Sequence, residues 1–148
     1  VSSAASDVYK RQVVDLLDLD LAKAHVEAHQ LEHAMSPELE SKIRERLGNP
    51  TTSPFGHPIP GSGYKEPEGD LITLEKAVPK QSYTIERIPE DDQELLRFFI
   101  EHNVIPGQGI EVIESGRYRG VVSFQTTVGE TSIGYEAAKS IWVVTSND

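Results

Sequence analysis

The residues best suited to chemistry are four potential metal ligands within nine positions of the chain: His25, His29, Glu32 and His33. Imidazole nitrogens and carboxylate oxygens are ligands that divalent transition metals accept. At about 3.6 residues per turn, an α-helix gathers these four side chains within an arc of about 100°. The spacing therefore predicts a metal site on one face of a helix.

A solvated polar face is the alternative interpretation, because histidine and glutamate are common on exposed helix surfaces. No lysine or arginine interrupts the arc, so the two interpretations are evenly balanced on spacing alone. The pattern is not the HExxH motif of zinc proteases, since glutamate directly follows neither His25 nor His29. A metalloprotease is therefore disfavoured.

The helix that would position these ligands is predicted over about residues 21–35, with Asp20 as its N-cap. Its core-facing stripe would consist of Leu21, Ala24, Ala28, Leu31 and Met35. A second helix should begin after Ser36, with Pro37 at its first position, and run to about Leu47 before Gly48.

Together with the end of an earlier helix at Val13 to Leu17, these segments form a predicted helical domain over residues 13–48. About 35 helical residues bury too little apolar surface to be stable alone. We therefore expect the apolar stripe to pack against a partner chain or a missing domain.

Two segments lack a periodic apolar pattern. We expect residues 1–12 to be a non-native or disordered tail, because VSSAASDVYKRQ shows no apolar period. Residues 49–69 are rich in proline and glycine and are predicted to be a linker with turns rather than a core element. Within it, His57 is expected to be a turn residue.

From residue 70 to residue 148 the pattern changes to short strands. The runs SYTIERI, GIEVIE, VVSFQTTV and SIWVV read as strands, and Gly134 to Ala138 as a helical turn. One helix is expected within QELLRFFIEHN, capped by Asp91 or Asp92, with His102 at its C-terminal end. Short strands with glycine turns and one inserted helix predict a small β-barrel, and the whole chain is then α+β.

Composition narrows the class of function. The net charge is −10, and both residues 1–69 (7 basic, 11 acidic) and residues 70–148 (7 basic, 13 acidic) are acidic, so neither offers a basic DNA-binding surface. No cysteine is present, which excludes disulfides and thiolate sites. The sequence contains no run of 18 apolar residues, so it predicts no membrane span. It also contains no signal peptide pattern, and we therefore expect a cytoplasmic protein.

Two runs of the sequence resemble the domains of one known protein family. The run from DLLDLDLAKAHVEAHQLEHAMSPE to SPFGHPIPG resembles the dimerisation domain of the diphtheria-toxin-repressor family of metal-dependent transcriptional regulators. The later run containing ELLRFF and PGQGIEV resembles the FeoA-type, Src-homology-3-like barrel of the same family. The resemblance covers about residues 13–146.

The resemblance implies roles for the ligands. Glu32 and His33 match the primary, activating metal site, and His29 stands where relatives place a Cys, Met or Glu ligand. His25 matches a ligand of an ancillary site, whose other helical ligands should lie just before Val13, where this chain has Lys10. In some relatives the barrel adds carboxylate or amide ligands. The positions that match them here are Asp92 and Leu95, and leucine cannot ligate.

The resemblance also implies the cofactor and the partners. We expect Mn²⁺ or Fe²⁺ because the family uses them, although imidazole and carboxylate also accept Co²⁺ and Zn²⁺. A homodimer is expected. Operator DNA would be bound only through a winged-helix N-terminal domain, which also supplies the remaining metal ligands and which we expect to be missing from this chain.

Two other classes of function stay open. A metalloenzyme could use Glu32 as a base, but no nucleophile motif or phosphate-binding loop supports one, and we expect no enzyme. A pure interaction module could bind a peptide through the barrel, including a proline-rich segment such as residues 50–67.

Overall fold

The computed structural model describes residues 4–146, which divide into two compact units, one ending at Lys65 and one beginning at Glu66. The first unit is helical: α1 (Ala4–Arg11), a π-helical turn (Gln12–Leu16), α2 (Leu21–Glu32) and α3 (Pro37–Arg46). The second unit contains strands β1 (Leu71–Thr73), β2 (Ser82–Arg87), β3 (Gly109–Gly116), β4 (Val121–Thr126), β5 (Gly129–Gly134) and β6 (Trp142–Thr145), with helices α4 (Gln93–Glu101) and α5 (Tyr135–Ala138). The α+β class is confirmed.

Side-chain caps fix where the helices of the first unit begin. The Asp20 carboxylate accepts the backbone N–H of Ala22 at 3.1 Å at the start of α2. The Ser36 hydroxyl accepts the N–H of Leu39 at 3.2 Å at the start of α3, where Pro37 stands at the first position. Each cap satisfies a backbone donor that has no partner inside its helix. Both predicted starts are therefore confirmed.

The core of the helical unit forms where α1, α2 and α3 meet. Val8, Tyr9, Ala28 and Ile43 are buried together, and Leu31, Met35 and Leu47 pack against them. Ala24 is fully buried as well. The predicted apolar stripe of α2 thus faces inward, because the small alanines allow the neighbouring helix to approach closely.

Residues 4–12 differ from the expectation of a tail. Residues 4–11 form α1, in which Val8 is 0% and Tyr9 is 1% exposed. The Arg11 guanidinium donates to the backbone oxygens of Thr52 (2.7 Å) and Ser53 (3.0 Å). The sequence pattern missed this helix because one buried turn supplies only two large apolar side chains. Residues 1–3 of the expected tail lie outside the described residues.

The predicted linker over residues 49–69 also needs correction in its first half. Phe55 and Ile59 are buried, and the backbone N–H of Ser53 donates to the oxygen of His57 at 2.8 Å. Thr52 and Pro58 form an antiparallel bridge. Proline and glycine mark the turns of this loop correctly, but two apolar side chains make it part of the core.

The second unit is one six-stranded antiparallel sheet in the order β1-β6-β2-β3-β4-β5. Irregular register within the β2–β6 and β3–β4 pairs bends the sheet. Its buried apolar residues include Tyr83, Ile85, Phe99, Val112, Phe124, Ile141 and Val143. Inward and outward side chains alternate along β2 and β4, as the sequence predicts for half-buried strands.

One predicted strand proved to be shorter than expected. The run VVSFQTTV forms β4 only as far as Thr126 and then turns into β5. The Thr126 hydroxyl donates to the oxygen of Gly129 at 3.0 Å and accepts the N–H of Val128 at 3.2 Å, which closes the hairpin. The sequence pattern missed β5 because Ile133 is its one large apolar residue.

Candidate metal centre on helix α2

The four predicted ligands lie on α2 and on its C-cap. His25 and Glu32 are half-buried, and His29 and His33 are exposed. The helix ends at Glu32, three residues earlier than predicted, but the C-cap His33 keeps helical backbone angles (φ −74°, ψ −18°). His33 therefore still follows His29 by about one helical turn.

The structure brings two of the four side chains into contact. The imidazole rings of His29 and His33 have centroids 4.8 Å apart and planes 84° apart. Within residues 4–146, no three His, Asp or Glu side chains are arranged to hold one metal ion. The donor types fit a divalent metal, but only an imidazole pair is in place, and the predicted set of four stays a prediction.

Glu32 and Glu40 both lie near the phenol of the buried Tyr9. Burial raises the pKa of Tyr9, and the nearby carboxylates of Glu40 and Glu32 raise the same pKa further. Glu40 itself is paired with Arg44 at 2.7 Å. Glu32 thus lies close enough to the core of the helical unit to act on the buried Tyr9 phenol.

Lys10 occupies the segment from which the resemblance implies further ancillary ligands. Its side chain is fully buried, with the ammonium 3.6 Å from the Asp7 carboxylate and 5.9 Å from the centroid of the Phe55 ring. An ammonium has no lone pair to offer a metal. Lys10 is therefore held in the core of the helical unit beside Asp7 and Phe55 and does not replace the expected ligand.

The candidate residues of the barrel unit have structural roles. Asp92 caps α4 by accepting the N–H groups of Glu94 and Leu95 at 3.0 and 3.2 Å, which selects Asp92 over Asp91 as the cap. The His102 ring stacks on Phe98 at 4.1 Å, and its Nδ1 lies 2.8 Å from the Phe98 backbone oxygen. These local contacts account for the positions of both side chains, and neither position requires a metal ion.

Several large apolar side chains within and just before α2 are exposed, and they are called the exposed apolar patch. Leu16, Leu17, Leu19 and Val26 are 39–56% exposed. The first three lie at or just after the end of the π-helical turn, and none of them belongs to the core that α2 shares with α1 and α3. The sequence pattern predicted a need for a partner but assigned it to the inward stripe of α2. The surface left uncovered is instead this apolar patch.

Two family models match the chain, one for each unit. "Iron dependent repressor, metal binding and dimerisation domain" matches residues 5–61, and "FeoA domain" matches residues 72–145. The iron-dependent repressor IdeR of Mycobacterium tuberculosis (strain ATCC 25618 / H37Rv) is 48% identical over 52 residues, which are 35% of this chain and 23% of IdeR. The diphtheria toxin repressor of Corynebacterium efficiens is 30% identical over 119 residues, 73% of this chain and 52% of the repressor. The alignments thus span about half of that repressor and a quarter of IdeR.

The chain is also similar to solved structures. A manganese-dependent transcriptional repressor matches with a TM-score of 0.85 and 28% identity over 97% of this chain and 78% of that chain. A complex of such a repressor with manganese matches with a TM-score of 0.82 and 28% identity over 97% and 69% of the two chains. These relatives are described as repressors. In the described part of this chain, no helix is long and apolar enough to cross a membrane.

Proposed function

Because the chain belongs to the diphtheria-toxin-repressor family of metal-dependent regulators, we propose that it forms the metal-sensing and dimerising part of a transcriptional repressor of metal homeostasis. The observation that carries this proposal is the histidine face of α2, on which two imidazoles already meet at 4.8 Å. The net charge of this chain is −10, and an acidic surface repels DNA phosphates, so DNA binding is not proposed for the residues of this chain. A regulator of this kind acts in the cytoplasm.

The proposed metal ligands are His25, His29, Glu32 and His33. The likeness to an iron-dependent repressor and to a manganese complex supports Fe²⁺ or Mn²⁺, with Co²⁺ and Zn²⁺ as other metals that this donor set accepts. The metal, when bound, supplies a divalent charge that can join α2 to ligands from another segment. Half-buried Glu32 would hold that charge beside the helical core, and exposed His29 and His33 would hold it from the solvent side.

The proposed dimer interface includes the exposed patch of Leu16, Leu17, Leu19 and Val26. Burying apolar surface contributes about 25 cal/mol for each Å² removed from water. A second copy of the chain would cover this patch on both subunits at once, because a two-fold interface is self-complementary. A homodimer would present two DNA-binding segments of a longer protein at a fixed spacing, as a palindromic operator requires.

The switch in this proposal is a difference in affinity. Metal would bind the DNA-competent arrangement more tightly than the alternative arrangements and so raise its population. In this chain, α2 contributes a rigid platform for the metal because Asp20 caps its first turn and Ala24 and Ala28 fix it to the core.

A cobalt titration of this chain tests the proposed site. Co²⁺ reports its ligands through visible absorption, so Glu32→Ala is expected to weaken the cobalt signal at least about tenfold, the size of effect seen when the surroundings of a metal site are changed. Glu27→Ala is the matched control, since Glu27 lies on the opposite side of the same helix. Equal cobalt binding by both variants would contradict the assignment of Glu32.

Self-association separates the sensor from the interaction module. The repressor proposal expects a dimer in sedimentation equilibrium together with cobalt binding. The barrel carries an open groove of about 300 Å³ lined by Ser82, Gly109, Glu111, Gln125 and Thr127, among others. A monomer that binds no cobalt but binds a peptide in this groove would favour the interaction module.

A further inference from the structure

We propose that a surface of the barrel unit around Val78, Ile113 and Tyr118 binds a short acidic peptide segment of another protein, which carries apolar side chains between its carboxylates. This inference goes beyond the proposed function, because it concerns the barrel unit and requires neither a metal ion nor DNA. The surface also differs from the open groove, which contains the first residues of β3. We call it the basic-apolar surface, and its residues are Lys76, Val78, Lys80, Ile113, Arg117 and Tyr118.

Two hydrogen bonds hold the segment before β2 alongside β3. The backbone N–H of Lys80 donates to the oxygen of Val112 at 2.7 Å, and the Ser115 hydroxyl donates to the backbone oxygen of Glu75 at 2.9 Å. Residues 75–80 therefore run antiparallel to residues 112–115. Val78 lies between the two contacts, so it comes beside the middle of this stretch of β3.

The register of β3 explains why an apolar side chain is exposed in the same stretch. Its pairing with β4 shifts between Val112 and Glu114, so Ile113 is the extra residue of a β-bulge. A bulge changes the direction in which a side chain points. Ile113 is 43% exposed, and the neighbouring Val78 is 55% exposed. Two aliphatic side chains are thus open to a partner on adjacent stretches of chain.

Tyr118 extends the apolar area beyond the end of β3. A Cβ atom at Gly116 would lie 3.0 Å from Cε1 of the Tyr118 ring, so the ring lies against the glycine backbone. The tyrosine is nevertheless 87% exposed, and exposed tyrosine is typical of protein-binding surfaces. Within residues 66–146, four large apolar side chains are exposed, and three of them belong to the basic-apolar surface. This concentration indicates a binding surface.

Basic side chains flank the apolar ones along both stretches of chain. Residues 70–148 contain 13 acidic and seven basic residues, and four of the seven lie here: Lys76, Lys80, Arg117 and Arg119. Arg119 is paired with Glu114 at 3.0 Å. The other three are exposed, and they form no ion pair with any residue from 4 to 146. Three unpaired cations favour a partner that brings carboxylates.

The two ends of the surface favour a short peptide over a nucleic acid. Glu75 stands at one end, beside Ser115, and Glu111 at the other. A phosphate chain that continued past either end would meet a like charge. A strand rises about 3.3 Å per residue, so the length from Glu111 to Ser115 is about 13 Å, which suits about three or four extended peptide residues. An apolar side chain of such a segment can contact Val78 and Ile113 while its carboxylates reach the flanking cations.

The test measures how the full chain binds a fluorescein-labelled peptide of alternating leucine and glutamate residues, followed by fluorescence anisotropy. We expect a dissociation constant of about 10–100 µM, which suits a small interface. Ile113→Ser and Arg117→Glu should each raise this constant about fivefold or more. The matched controls Val128→Ser and Arg97→Glu should change it by less than about twofold, because both residues are exposed on other elements of the barrel unit. Circular dichroism checks that each variant is folded.

Three outcomes overturn the acidic-peptide site. No peptide binding by the unchanged chain, or equal affinity of the unchanged chain and both surface variants, removes the basic-apolar surface as the site. A labelled DNA duplex that binds more tightly than the peptide, and is weakened by Arg117→Glu, makes the surface one for nucleic acid. Self-association that Ile113→Ser weakens and Leu17→Asp does not makes a second copy of the chain the occupant. Cobalt binding on α2 is measured separately, so the proposed function stands or falls independently of these results.

Discussion

The two units of this chain use their side chains differently. Among the described residues, the barrel unit contains seventeen buried apolar residues and the helical unit eight. The helical unit nevertheless leaves Leu16, Leu17, Leu19 and Val26 exposed in one short stretch of sequence. The exposed large apolar residues of the barrel unit, such as Val78 and Val128, are by contrast spread over distant parts of its sequence.

The polar residues show the same difference. In the barrel, Asp92 caps a helix and His102 stacks on a phenylalanine, so each has a local structural role. In the helical unit, His29 and His33 contact each other at the surface. A residue suited to metal binding therefore indicates a metal site only where the fold gives its side chain no structural role.

The largest expected effect comes from breaking the barrel core. Phe124 is fully buried in β4, so Phe124→Ala should destabilise the barrel unit by about 3–5 kcal/mol. Urea unfolding followed by the fluorescence of Trp142, the single tryptophan, measures this loss. Exposed Gln125 on the same strand is the control position, and Gln125→Ala should change stability by less than about 0.5 kcal/mol. Similar losses at both positions would contradict a self-sufficient barrel core.

The next effect concerns self-association. Leu17 is 56% exposed, and Leu17→Asp should raise the dimer dissociation constant about tenfold or more, because a charge would be buried without a partner. Val128 is similarly exposed, at 62%, but lies in the barrel hairpin. Val128→Asp should therefore leave sedimentation unchanged. A dimer weakened by Val128→Asp and not by Leu17→Asp would place the interface on the barrel instead.

A smaller effect is expected at the start of α3. Ser36→Ala removes the hydroxyl that accepts the N–H of Leu39, and the loss should be about 1 kcal/mol of the stability of the helical unit. Thermal unfolding followed by circular dichroism at 222 nm measures it. Ser41→Ala within the same helix exchanges an exposed serine for a better helix former and should not destabilise the unit. If Ser41→Ala destabilised the unit and Ser36→Ala did not, the Ser36 cap would not stabilise the start of this helix.

The smallest effect near neutral pH comes from Tyr9. The pKa of Tyr9 in the folded protein is raised by burial and by Glu40 and Glu32. The contribution of the protonated phenol to the free energy of unfolding is therefore complete below the ordinary pKa near 10, and it is lost as pH rises through the folded-state pKa. Helical signal should therefore fall at high pH, and Tyr9→Phe should lessen that fall. Tyr118→Phe, at an 87% exposed position, should not. An unchanged alkaline transition in Tyr9→Phe would remove Tyr9 as its cause.

Much of the fold could be predicted from local sequence signals. Asp20 and Ser36 identified the starts of two helices because capping depends on a single side chain and its nearest backbone donors. Helix α1 could not be predicted in the same way, since its burial depends on contacts with the distant loop around Phe55 and on the bonds from Arg11 to Thr52 and Ser53. Sequence patterns within one segment carry no record of such contacts.

The candidate site could be predicted only in part, for a similar reason. Helical periodicity places His25, His29, Glu32 and His33 on one face, but it does not determine side-chain torsions. The structure brings the rings of His29 and His33 into contact, but no three such side chains within residues 4–146 are arranged to hold one metal ion. Gathering more side chains around one ion would depend on the metal itself and on groups that periodicity within α2 does not describe.

The most direct test of metal binding on α2 is nuclear magnetic resonance of the ring nitrogens of all five histidines during titration with Zn²⁺, which is diamagnetic and accepts imidazole. We predict that the ring nitrogens of His29 and His33 shift first, with His25 affected as the site fills, while those of His57 and His102 stay unchanged. Shifts confined to His57 or His102, or no shift at any of the five rings, would contradict a metal centre on α2.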